Sequence, residues 1–163
     1  MATQWSASGA SLATETSGAA CSPLCPATVN ANDILIAQVY FEGTATTPDT
    51  PAGWTLLDGP RVVETTIGRM WVYGKIAAGT EDGAAVAFGT QAVTTMRGGR
   101  VHSYTGWVSG AITDVVRGFA FLSHANDPQM PSVTTTVVNS LAVAHVVQND
   151  NNALAAPTGE TGG

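Results

Sequence analysis

The stretch Ile34-Leu-Ile-Ala-Gln-Val-Tyr-Phe41 constrains this chain more than any other. It follows the turn signal Asn32-Asp33. Read with a period of two, it places Leu35, Ala37, Val39 and Phe41 on one face and Ile34, Ile36, Gln38 and Tyr40 on the other. Both faces are largely apolar. A strand of that kind belongs in the middle of a sheet and needs cover on both sides.

The flanking sequence carries more strands and no helical stripe to provide that cover. Trp54-Thr-Leu-Leu57 reads as a short strand ended by the turn Asp58-Gly59-Pro60. Arg61 to Ile67 and Arg69 to Ile76 then read as neighbours around Gly68. In the second of these, Met70, Val72 and Ile76 are expected to face inward, with Arg69, Trp71, Tyr73 and Lys75 outward. Further strands are expected at Ala84 to Phe88, Gly99 to Tyr104, Val115 to Leu122, Ser132 to Val138 and Leu141 to Val147. Turn residues separate them about every eight to twelve positions, the spacing of a sandwich or barrel. The fold expected is therefore all-β: a two-sheet antiparallel β-sandwich, jelly-roll or immunoglobulin-like, without substantial helix. Residues 33–163 form that domain, behind an N-terminal arm, 1–32, which contains a possible first strand at Gln4 to Ala7.

Charge narrows the function. The chain has 163 residues, of which 11% are charged, and a net charge of −6. Its cations are Lys75 and five arginines. That is too few for the phosphate-neutralising patch of a nucleic-acid binder, or for docking on an anionic membrane. The apolar runs, such as Leu141 to Val147, are far short of a membrane span. The N-terminus lacks the basic start and apolar stretch of a signal peptide, so synthesis in the cytosol is expected unless a leader was removed. A surface with so few charges is suited to touching other protein.

The arm holds a single charge, Glu15, among Ala, Ser, Thr and Gly, and is expected to pack on a neighbouring subunit. It also holds both cysteines, Cys21-Ser-Pro-Leu-Cys25. Two free thiols or a local disulfide are both open. Zinc is not expected, because no second ligand pair accompanies them.

Catalytic readings fail on geometry. His102 and Ser103 are adjacent on a strand and point to opposite faces, so they cannot act as base and nucleophile beside Asp114. His145 lies among apolar residues, as a core or interface histidine does. Pairing Glu64 with Glu81, or Asp82 with Asp127, as glycosidase acids has no support in spacing. The Asp127-Pro128 and Asn149 to Asn152 loops match no calcium motif. No enzyme activity, catalytic residue, cofactor or metal is expected. Trp71 and Tyr73 on their outward row, with Trp5 in the arm, are the candidate partner-contact residues.

One resemblance adds to this. Asp33-Ile-Leu-Ile-Ala37, Pro51-Ala-Gly-Trp-Thr-Leu-Leu57, Trp71-Val-Tyr-Gly-Lys-Ile-Ala77 with Gly79-Thr-Glu81, and Ser103-Tyr-Thr-Gly106 follow a recurring order over nearly half of the chain. The order resembles a β-sandwich domain of tailed-bacteriophage structural proteins, of the capsid decoration (cement), tail or fibre type. Physically, Pro51 and Gly53 set a turn that drops Trp54 into the core, Lys75 can meet Glu81 across a loop, and Gly106 ends a strand. Domains of this type usually continue past Leu141 to Val147 with a further strand, which would leave a sheet edge to be supplied from elsewhere. The resemblance implies a non-enzymatic virion structural protein on the capsid exterior, made in the host cytoplasm. Its partners would be itself, as a homo-oligomer (a trimer), and the major capsid protein, with no nucleic acid or membrane. A tail-fibre or baseplate component, or a secreted carbohydrate-binding module, are the alternatives.

Overall fold

A computed structural model describes residues 4–14, 18–43, 47–63, 68–90 and 96–106, together with Ile112 and Val143. The expected strands beyond residue 106, and Glu64, Asp114, Asp127 and His145, lie outside the described residues, Val143 excepted. Within them the chain is all-β, with no helix. Six strands form one antiparallel sheet: β1 (Gln4–Ser8), β2 (Leu12–Thr14), β3 (Ile34–Glu42), β4 (Thr55–Val63), β5 (Gly68–Ile76) and β6 (Arg97–Thr105). Their order is β1-β6-β3-β5-β4, and β2 continues the β1 edge along β6.

The doubly apolar β3 is the central strand. It pairs along its whole length with β5, from Ile34↔Ile76 to Glu42↔Gly68, and with β6, from Ile34↔Tyr104 to Phe41↔Arg97. Its odd residues enter a first core cluster with Trp54, Trp71, Tyr73, Val86, Phe88 and Val101. Ile34 and Ile36 enter a second cluster on the opposite face with Leu57, Met70, Val72 and Tyr104, against which Ile112 and Val143 pack.

The first face is covered by an irregular antiparallel ladder made from the arm and the segment after β5. Cys21 N–H donates to Gly89 O, Phe88 N–H to Cys21 O and Cys25 N–H to Ala84 O, each at 2.8 Å, and Val86 N–H donates to Pro23 O at 3.0 Å. This ladder lets Pro23, Pro26 and both cysteines be fully buried without stranding their backbone polar groups. The described part of the arm therefore lies along and over its own domain. Ala84 to Phe88, expected as a sheet strand, belongs to this cover.

β4 also departs from expectation. Asp58-Gly59-Pro60 does not end a strand; it is a double irregularity inside a nine-residue one. Gly59 adopts φ +122°, and a Cβ there would sit 2.8 Å from Trp71 Cδ1 and 2.9 Å from Met70 O. Glycine thus lets the strand bulge and close onto Trp71 without breaking its pairing. The Pro51–Trp54 turn is as expected: Gly53 has φ +80°, Trp54 N–H donates to Pro51 O at 3.0 Å, and Trp54 is buried.

Candidate functional site

The three sequence-predicted contact residues do not share a surface. Trp71 and Tyr73 are 2% and 1% exposed, inside the first core cluster, so the outward row expected on β5 is corrected. That row faces the Cys21–Gly89 ladder, which no alternation within β5 itself could reveal. Phe41 meets Trp71 edge-on at 6.0 Å, and Phe88 is held between Tyr73 at 5.0 Å and Trp54 at 6.0 Å. Trp5, by contrast, is 47% exposed, and it pairs with Tyr104, whose side chain belongs to the second face. Trp5 therefore lies on the opposite side of the sheet from Trp71 and Tyr73, with β6 and β3 between.

Lys75, which ends the same row, marks a groove. Its Nζ lies 2.8 Å from Glu81 Oε1, across the loop that follows β5. Glu81 also accepts from three amides, Ala78 N–H at 3.0 Å and Gly79 and Thr80 N–H at 2.9 Å. Burial alone would raise its pKa, but the hydrogen bonds from Lys75 and from the backbone outweigh it and hold the carboxyl at about 2. Pro51, Ala52 and Trp54 form one wall, Ala84, Ala85, Val86 and Ala87 the other, and Cys25 lines it too. The cavity measures about 400 Å³.

Both thiols are held in the protonated form. Burial pushes Cys21 up to about 12 against the opposing charge of Arg97. Burial, then Glu81, raise Cys25 against Lys75. Both are free and buried. Three residues separate them, and four steps of extended chain span roughly 13 Å at about 3.3 Å per residue, too far for a disulfide. Among the described residues no group of three or more His, Cys, Asp and Glu is placed to hold a metal.

A serine does meet His102, but it is not its neighbour in sequence. Ser8 Oγ lies 2.7 Å from His102 Nδ1, through the Ser8↔His102 pairing of β1 with β6. Burial, helped by the Arg100 charge, lowers the His102 pKa. Ser103 faces the other way, fully buried, and its hydroxyl donates to Ala7 O at 3.5 Å. The signal for the Ser8 contact is the register of an edge strand 94 residues away, which the local sequence does not carry.

Four of the other described carboxylates are committed to the fold. Asp33 Oδ2 accepts from Asn30 N–H at 2.9 Å, Asp82 Oδ1 from Val29 N–H at 2.6 Å and Glu42 Oε2 from Met96 N–H at 2.7 Å, while Asp58 pairs with Arg61. Large apolar side chains are left exposed at both sheet edges: Trp5 on β1, and Leu56 and Val62 on β4, at 44–47%. In comparison with known proteins, no family model, no curated protein and no solved structure matches the chain.

Proposed function

We propose that this chain is a non-enzymatic structural protein of a tailed-phage particle, a decoration (cement) protein on the capsid exterior. The observation that supports it best is the pair of sheet edges. The two terminal strands of the described sheet each present large exposed apolar side chains, while the strands between them bury apolar side chains on both faces. A stiff plate with sticky opposite edges can touch a neighbour on each side, which is what tiling a shell requires. The buried position of Trp71 and Tyr73 removes the stacking row on which a carbohydrate-binding reading rested.

The same proposal completes the fold as a two-sheet sandwich. Ile112 and Val143 already pack against the second face, and the residues around them would form the opposing sheet. In this reading the partners are further copies of the chain, arranged as a trimer, and the major capsid protein. Quantitative mass spectrometry of purified particles tests the setting. Hundreds of copies per particle are expected. A few copies would move the domain to the tail, and complete absence would overturn the particle role. Light scattering on the isolated protein tests self-association, with a concentration-independent monomer mass as the contrary result.

A further inference from the structure

We infer that the outer edge of Ala85–Ala87 is a docking strand, which adds an extended, uncharged segment of a partner polypeptide to the ladder covering the first face. This deepens the contact-making role proposed above by naming the kind of partner it fits.

The ladder fixes which peptide groups are used. Ala84 O, Val86 N–H and Phe88 N–H all point to the Cys21–Cys25 side, so Ala84, Val86 and Phe88 serve the existing pairing. Leu24↔Ala85 is an isolated antiparallel bridge whose hydrogen bonds are made by the residues flanking the pair, as at a non-hydrogen-bonded position of a sheet. The N–H and C=O groups of Ala85 and Ala87 therefore point away from the ladder. Both residues are exposed, and neither makes a hydrogen bond among the described residues. They repeat at two residues, roughly 7 Å, the spacing at which an added strand presents its own peptide groups.

The space beside that edge suits such a strand. The segment leading to Pro51 joins it once, where Asp49 N–H donates to Phe88 O at 3.1 Å. Around Pro51 and Ala52 a cavity of about 400 Å³ lies between the two segments. That is near the small end of ligand cavities, which run roughly 300–1,000 Å³, and it has room for a few extended residues and not for a packed helix. Alanines at 52, 84, 85 and 87 keep the walls low, so an incoming backbone can approach.

The groove's charge selects the occupant. Lys75 and Glu81 neutralise each other at 2.8 Å, so neither an acidic nor a basic side chain finds an unmatched partner there. An ammonium has three donors, and Glu81 is the one acceptor of Lys75 among the described residues. A peptide carbonyl can take another. Recognition would thus run through backbone groups and small side chains.

The test is selection of a displayed random-octapeptide library on the immobilised parent protein. Selected sequences are then synthesised with both ends capped. Enriched peptides should be short of charge, and binding should shift the Ala85 and Ala87 amide resonances. Methylating the amides of alternate peptide residues should abolish binding in one phase and leave it nearly unchanged in the other. Ala85→Pro removes a donor outside the ladder and should weaken binding about tenfold or more. The methylated peptides carry the same test on unaltered protein, should that variant fold poorly. No enrichment, equal binding of both methylation phases, or unmoved Ala85 and Ala87 resonances would overturn the inference. Absence of the chain from particles would sink the phage setting and leave this edge standing, whereas a failed selection would remove the edge and not the setting.

Discussion

The two faces of the sheet carry different clusters of side chains. The first is aromatic and lies under two chain segments that hydrogen-bond to each other, and it buries polar groups such as Ser103 and Arg97. The second carries a mainly aliphatic cluster of Ile34, Ile36, Leu57, Met70 and Val72 with Tyr104, and Ile112 and Val143 pack against it. A self-paired cover satisfies its own backbone and can therefore be irregular, proline-containing and still buried. An aliphatic cluster gains from the contact area that it buries. Damage on the first face should thus be felt through both packing and the ladder, and damage on the second in proportion to the atoms removed.

The sharpest contrast is Trp54→Ala against Ile36→Val. Trp54 is a wall of the first-face cluster, and its loss should cost about 3–5 kcal/mol, while trimming one methyl group from Ile36 should cost about 0.5–1.5 kcal/mol. Urea denaturation of both variants reads the ratio, and equal midpoints would abolish the distinction between faces. Between them in size comes Glu81, whose carboxyl anchors the loop after β5 under the first-face cover. Its folded pKa of about 2 lies below the ordinary value of 4.5, so its contribution is full above pH 4.5 and is lost as pH falls toward 2. The parent should lose about 2–3 kcal/mol over that window, at roughly 1.4 kcal/mol per pKa unit, and Glu81→Gln should flatten this part of the profile.

At the β1–β6 edge the sign follows histidine. Because the folded pKa of His102 is lowered from 6.5, stability should fall as pH drops below 6.5, and His102→Gln should remove that step. A thermal-melting series from pH 7.5 to 5 would show it. The smallest effect is expected at Trp5→Ser, within about 0.5 kcal/mol of the parent in stability. If that variant also self-associates like the parent, the β1 edge is not a contact surface.

How much of this was legible depends on where each residue's partner comes from. β3 announced its central place because both of its faces are apolar within nine residues. The turn before Trp54 and the Lys75–Glu81 pair were legible because each closes within a few residues. Trp71 and Tyr73 misled because Arg69 and Lys75 flank them, and a row with cations at both ends reads as solvent-facing. Yet the lysine reaches a buried carboxylate, and both aromatics sit under a cover drawn from the arm. That cover has no period, and its Pro23 and Pro26 read as loop. The Ala85–Ala87 edge was invisible for the same reason: which peptide groups a strand leaves unused depends on the partner it has already taken.

The pairing of β1 with β6 also sets a timetable for synthesis. Gly9 N–H donates to Val101 O, and Gln4 pairs with Thr105. Everything between must be made before the first strand has anywhere to go, and at 5–20 residues per second that is roughly 5–20 s on the ribosome. The contacts of β3, β4 and β5 span far fewer residues and can form earlier, so the earliest-made strand docks among the last. For that interval β1 and β2, neither of which holds a charged residue, have no strand to pair with. Their exposure to chaperones and to neighbouring nascent chains is governed by how quickly the ribosome reaches Thr105.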